Sequence, residues 1–204
     1  MDLVLCIVLG YLLGSLNPAA LIGKIKHFNL RKHGTGNLGA TNVLLNFGKG
    51  FAAVVMLFDI FKAFAAFHLA SLFCGGVELA PYLAGAAAVL GHIFPFYLKF
   101  KGGKGLASFG GFVLAVDPKV FCFLLVTGVI AMLAVNYSVA LPYFAGTAFP
   151  ILMWILKKSL PVIAVCTSLS GLILYKHRGN VKKAMDGTDN KIREYVATKL
   201  FAKK

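Results

Sequence analysis

Three short polar segments interrupt the long apolar stretches of this chain, and that pattern constrains the fold more than any other feature. The segments are HGTGNLGATN (His33 to Asn42), GHIFPFYLKFKGGKG (Gly91 to Gly105) and YKHRGNVKKAMDGTDNK (Tyr175 to Lys191). Of the 204 residues, 59% are hydrophobic. A soluble domain of this size cannot hide that much apolar side chain, so a bilayer is the natural solvent. One span needs roughly 20 mostly apolar residues. The expected fold is all-α: a polytopic membrane helix bundle of about seven transmembrane helices.

Spans are expected near 3–23, 50–73, 78–98, 105–116, 119–135, 138–156 and 161–175. The fourth is short, and Asp117-Pro118 ends it, because proline cannot continue a helix and restricts its predecessor. Residues 1–176 form the helix bundle and 177–204 a cytoplasmic tail that completes the site, one domain overall. The N-terminus lacks a basic leader, so the first helix reads as a retained span.

Lysine and arginine set the orientation. Lys24, Lys26, Arg31, Lys32 and Lys49 flank the first connection, and Lys99, Lys101 and Lys104 the third. The tail holds Lys176, Arg178, Lys182, Lys183, Lys191, Arg193, Lys199, Lys203 and Lys204. Seven spans put all of these on one side, which is then cytoplasmic, with the N-terminus outside and the C-terminus inside. Lys157 and Lys158 fall on the other side.

The net charge of +14 sits in the gaps between spans. It therefore points to anionic lipid and anionic substrates rather than nucleic acid. Cys6, Cys74, Cys122 and Cys166 show no CxxC or Cys/His ligand spacing, so they read as small buried hydrophobes without disulfide or zinc. One charged pair, Asp59 and Lys62, shares a helix face inside a span. Each alone costs roughly 3 kcal/mol at mid-bilayer. The pair either holds helices in register or serves the site.

In Lys101-Gly102-Gly103-Lys104-Gly105, glycines let backbone approach an oxyanion closely. The helix that follows offers unpaired N–H groups and a positive dipole end. This outlines a phosphate cradle without a Walker motif; the plainer alternative is a flexible basic loop. In HGTGNLGATN, the groups of Thr35, Asn37, Thr41 and Asn42 hydrogen-bond polar ligand atoms, or the segment is a turn capping a helix. His177, Arg178 and Asn180 supply a proton carrier and a phosphate clamp, or a juxtamembrane lipid anchor. His92 lies at the cytoplasmic end of its span and is expected to face the same site. His27 and His33 read as loop residues, and His68 as a residue facing a neighbouring helix.

Taken together, the segments resemble those of the bacterial acyl-phosphate:glycerol-3-phosphate acyltransferases. GHIFPFYLKFKGGKG is similar to that family's second motif, GHxFPxFxxFKGGKGVAT. HGTGNLGATNVL resembles the first, GSGNxGxTNxLR, and KHRGNVKKAMDGTDNK the third, HRxNIxRLxxGxE. The resemblance runs through nearly the whole chain in the right order. It implies a multi-pass enzyme of the bacterial cell (inner) membrane, with its active site on the cytoplasmic side. The implied reaction moves an acyl chain from acyl phosphate to the 1-hydroxyl of glycerol 3-phosphate, giving lysophosphatidic acid and phosphate, the first acylation of phospholipid synthesis. The partners are these two substrates and membrane lipids. No cofactor, metal, nucleic acid or obligate protein partner is expected.

By the resemblance, the catalytic residues are His177, Asn180, Lys104 and Thr35, the last standing where the family has serine. The substrate-binding residues are Asn37, Asn42, His92, Lys101, Gly102, Gly103, Ser108 and Arg178. Asp189 stands where the third motif has glutamate. Leu45 stands where the first motif has arginine, which removes a phosphate clamp; Arg31, Lys32 or Lys49 compensates, or the chain is a divergent paralogue.

An acyl phosphate is an activated anhydride, so an alcohol attacks it without a covalent enzyme nucleophile. The site has to hold two anions, polarise the carbonyl and accept a proton. His177 or the donor's own phosphate oxygen takes that proton. Acyltransferases using acyl-CoA or acyl carrier protein commonly carry His-x-x-x-x-Asp. Here the residues five after each histidine are Lys32, Leu38, Phe73, Tyr97 and Lys182, none acidic. A transporter or scaffold for a phosphate-bearing solute favours repeated halves and mid-membrane polar sites, which the polar segments here do not match.

Overall fold

Helix starts and stops in this chain follow from a few residues. The computed structural model describes residues 3–74, 76–189 and 191–195. Every regular element among them is helical. The first apolar stretch is broken into α1 (Leu3–Ser15) and α2 (Pro18–Ile25). At the break, the Asn17 side chain accepts a 2.8 Å bond from Ala20 N–H, and Pro18 opens the new helix, where its missing N–H costs nothing. α3 (Ala40–Phe47) and α4 (Lys49–Phe73) meet at Gly48, whose φ of +85° suits glycine. α5 (Leu79–Ile93) is followed by a single 3-10 turn, Phe96–Leu98.

α6 (Leu106–Val116) ends at Asp117, and Pro118 begins α7 (Pro118–Val135), as the sequence signals. α8 (Ala140–Ile155) carries Pro150 inside it. α9 (Leu160–Met185) is closed by Gly187 at φ +67°, with Thr188 N–H donating to Lys183 O at 2.9 Å. The short α10 (Ile192–Tyr195) is tied to Asn136, which accepts from the N–H groups of Ile192 and Arg193.

Among the described residues, five stretches are long and apolar enough to cross a membrane: Leu3–Ile25, Lys49–Phe73, Leu79–Leu98, Pro118–Val135 and Leu160–Met185. Leu106–Val116 and Ala140–Ile155 are shorter apolar helices. Large apolar side chains such as Leu57, Leu72, Val126 and Trp154 are exposed, as lipid contact requires.

The chain folds as two compact units, Met1–Pro118 and Lys119–Lys204. In the first, backbones approach closely wherever side chains are smallest. A Cβ on Gly14 would stand 2.0 Å from Ala88 O, and one on Gly10 2.4 Å from Ala84 O, so α1 lies directly on α5. Gly111 of α6 meets Ile60 O of α4 in the same way. With no hydrophobic drive between helices in lipid, such close packing is what holds a bundle together. In the second unit, α8 packs on α9 with Gly146 against Leu174.

Two expectations change. Cys6 and Cys74, read as separate buried thiols, are joined as a disulfide, because the packing of α1, α4 and α5 brings the start of α1 to the end of α4. The last span, expected to stop at 175, continues as one helix to Met185, so the boundary drawn between 176 and 177 falls inside α9. Lys199, Lys203 and Lys204 of the basic tail lie outside the described residues.

Candidate active site

The first two polar segments meet at one end of the first unit. Between Phe28 and Ala40 the chain makes one 3-10 turn (Leu30–Lys32) and two left-handed glycines, Gly34 at φ +58° and Gly36 at φ +69°. Asn42, on the first turn of α3, organises this segment. Its Oδ1 accepts from Thr35 N–H at 2.8 Å, and its Nδ2 donates to Leu30 O at 2.8 Å. The side chain is 0% exposed. Both ends of its amide are thus engaged with the turn, whereas the sequence puts Asn42 among the substrate-binding residues. Thr35 is left exposed at the tip, its Oγ1 accepting from Asn37 N–H at 3.4 Å.

The second segment turns back on the helix it leaves. Lys99 and Phe100 both take left-handed φ, +55° and +57°, which bulky residues adopt only under constraint. Phe100 N–H donates to Pro95 O at 3.1 Å and Lys101 N–H to Leu98 O at 3.2 Å. Gly102 N–H then donates to Ile93 O at 2.9 Å and Gly103 N–H to His92 O at 3.1 Å. The last carbonyls of α5 are satisfied by the loop itself. This revises one expectation: the amides of Gly102 and Gly103 are engaged inside the protein. The two glycines serve by allowing contact. A Cβ on Gly102 would lie 2.0 Å from His92 O, and one on Gly103 2.1 Å from His92 Nε2.

Amides for an oxyanion come one step later. Gly105, at φ +86°, is the residue before α6 and has no side chain to cap it. The first N–H groups of an α-helix have no partner within the helix, and the dipole there is positive. Lys104, half-buried, stands beside this end. Ser108, one turn in, is 0% exposed, and its hydroxyl has no hydrogen-bond partner among the described residues. An orphaned buried hydroxyl near an uncapped helix start is the arrangement a phosphate completes.

The two segments abut. The Arg31 guanidinium donates to Lys101 O. Leu38 O lies 2.8 Å from where a Cβ of Gly103 would be. Leu45 is on α3, 36% exposed, and Arg31 brings a guanidinium to the loop from the same segment. His92, expected to face the site, is instead behind the loop and only 3% exposed. Its Nδ1 is 2.9 Å from Lys62 Nζ and 3.1 Å from Asp59 Oδ1. Of the other histidines, exposed His33 stacks on Phe28, and His68 contacts Phe64 and Phe67.

The third segment lies on α9 in the second unit. His177 is buried, and its Nδ1 is 2.9 Å from Ile173 O. A carbonyl only accepts, so Nδ1 carries a hydrogen and donates it there. Arg178 is folded on its own helix, 3.7 Å above the Tyr175 ring and bonded to Tyr175 O. Asn180 is half-buried on the same helix. Sequence reasoning passed over Asn17 and the loop-to-helix bonds. The Asn-Pro pair was the available signal for the first; nothing in the sequence signalled the second.

Comparison with known proteins identifies the family. The family model described as glycerol-3-phosphate acyltransferase matches residues 4–187. A glycerol-3-phosphate acyltransferase from Bacillus velezensis is 35% identical, over 95% of this chain and 99% of the relative. One from Bacillus subtilis is 35% identical with the same coverage, and one from Wolbachia pipientis is 33% identical over 94% and 98%. Among solved structures, PlsY (YgiH), an integral membrane glycerol 3-phosphate acyltransferase in its glycerol 3-phosphate form, superposes with a TM-score of 0.90. It is 30% identical, covering 98% of each chain. The lysophosphatidic acid form gives 0.84 over 93% and 94%. The chain belongs to the glycerol-3-phosphate acyltransferase family. It is a membrane-embedded acyltransferase of phospholipid synthesis.

Proposed function

We propose that this protein transfers an acyl chain from acyl phosphate to the 1-hydroxyl of glycerol 3-phosphate, releasing lysophosphatidic acid and inorganic phosphate. One observation carries the reading: the uncapped start of α6, flanked by Lys104 and the orphaned Ser108 hydroxyl and led into by a loop that Leu38 and Arg31 abut. A phosphate there takes its bonds from the amides of Leu106 and Ala107, the Ser108 hydroxyl and the Lys104 ammonium. Lys101 adds positive charge, and Asn37 and the Thr35 hydroxyl bind the glycerol side. Arg178 is available to a second anionic group.

The family resemblance assigns His177 and Asn180 roles in the chemistry. The glycerol hydroxyl attacks the acyl carbonyl as the carbon–oxygen bond to phosphate breaks, and phosphate leaves. Asn180 polarises the carbonyl oxygen. His177 Nε2 accepts the hydroxyl proton, a role favoured by the hydrogen bond that keeps Nδ1 protonated.

The protein crosses the bacterial cell membrane seven times, counting the two shorter helices, with its N-terminus outside and its C-terminus inside. The catalytic side is cytoplasmic. The reading is supported by Lys24, Lys26, Arg31, Lys32, Lys49, Lys99, Lys101 and Lys104, which all flank one end of the first unit's spans.

Purified protein in lipid should release phosphate from palmitoyl phosphate only when glycerol 3-phosphate is present. Acyl-CoA and acyl carrier protein donors should give no product. Lys104→Ala and His177→Ala should each lower the rate at least ~10-fold. Full turnover in both variants would remove these residues from the chemistry.

A further inference from the structure

The most unusual buried feature of the first unit is an ionic cluster inside the membrane-spanning region. Lys62 and Asp59, one turn apart on α4, are 0% and 2% exposed and 2.7 Å from each other. A lysine ammonium has three N–H bonds and no acceptor. Three groups lie within hydrogen-bond distance of its Nζ: Asp59 Oδ1, Leu16 O at 2.9 Å and His92 Nδ1 at 2.9 Å. Lys62 therefore ties α4 to the break between α1 and α2 and to the end of α5. His92 Nδ1 is also 3.1 Å from Asp59 Oδ1, so the ion pair as a whole grips this edge of the ring and turns Nε2 away from it. That nitrogen is pressed against Gly103, where a Cβ would come within 2.1 Å of it.

We propose that Asp59, Lys62 and His92 are positioning residues for the phosphate-binding loop. They hold the His92 ring under Gly103 and so set where Lys104 and the start of α6 stand. The proposal rests on the acyltransferase reading only for its kinetic consequence. A buried ion pair is a poor way to glue helices, since two apolar side chains of similar volume often serve as well or better. What apolar side chains cannot do is hold an imidazole at a fixed rotation under a backbone loop. The loop needs such a brace. Its two left-handed residues, Lys99 and Phe100, sit in a sparsely populated backbone region. Its register depends on the Gly102 and Gly103 N–H bonds to Ile93 and His92.

The test uses the full chain in lipid, with two variants. Asp59→Leu with Lys62→Met removes both charges together, which avoids stranding one of them. His92→Asn keeps a polar group near Nδ1 but withdraws the ring from Gly103. Hydrogen exchange of the peptide covering 99–106 is read alongside thermal melting. Both variants should melt near the wild-type temperature while exchange in that peptide rises at least ~10-fold and other helices of the unit stay unchanged. KM for glycerol 3-phosphate should rise ~10-fold with a smaller change in kcat.

Wild-type exchange in the 99–106 peptide in either folded variant would overturn the proposal. So would exchange that rises equally throughout the unit, the mark of general loosening. If the double variant does not fold, His92→Asn decides by the same two outcomes. The exchange result stands whichever acyl donor is used. Wild-type protein that is inactive on acyl phosphate would count against the reaction, not against the brace.

Discussion

The segments 92–105 and 175–187 both carry polar chemistry at the end of an apolar helix, and they are built in opposite ways. α5 stops at Ile93, and the chain after it doubles back, spending the N–H groups of Gly102 and Gly103 on the helix it left. α9 does not stop: it carries His177, Arg178, Gly179 and Asn180 on unbroken helix to Met185. A helix satisfies its own backbone, so its side chains can change one at a time. A loop near the membrane must find a partner for every amide and carbonyl, and each residue of it becomes a condition on the others. The glycines register the contrast. Gly102 and Gly103 have no room for a methyl group, whereas around Gly179 nothing lies within 4 Å of where a Cβ would be.

Substitutions can break that contrast. The largest effect is expected from Gly103→Ala. Its Cβ meets His92 Nε2 at 2.1 Å and Leu38 O at 2.8 Å, one contact on each side of the loop. The loop must shift, and kcat/KM with glycerol 3-phosphate should fall ~100-fold or more. Activity within threefold of wild type (~0.7 kcal/mol) would show that the loop is not closely held.

Asn42→Ala comes next. It strands the Thr35 N–H and the Leu30 carbonyl, and the latter has nowhere to turn in a buried setting. A loss of about 1–3 kcal/mol in stability is expected, read as a lower melting temperature. KM should rise through the displaced Thr35 turn. An unchanged melting temperature would mean the turn is held by something other than Asn42.

Gly179→Ala should do least: turnover within twofold, and a small rise in melting temperature, since alanine is favoured over glycine within a helix by about 1 kcal/mol. A severe loss of activity here would mean that the third segment is as tightly enclosed as the second, and the contrast would fail.

The helical fold and the positions of its apolar stretches were legible in the residues because the bilayer allows few alternatives. Hydropathy marks what lies in lipid, and backbone polarity then demands helix. Asp117-Pro118 marked the end of α6 for the same local reason that Asn17-Pro18 opens α2, although only the first was read. The candidate site was legible as residue types in three segments. It was not legible as geometry. Whether Asn42 binds or braces, whether the amides of Gly102 and Gly103 point outward or inward, and whether His92 lies in the site or beneath it all depend on partners 12, 9 or 11, and 30 residues away in sequence. The disulfide of Cys6 and Cys74 spans 68 residues and carries no spacing signal at all. Composition and local signals determined that this chain is a membrane helix bundle with a cationic polar edge, because solvent transfer and backbone bonding act within a few residues. Only the packed tertiary structure decided which polar groups are used up internally, because a hydrogen bond commits a group only once its distant partner has been brought to it.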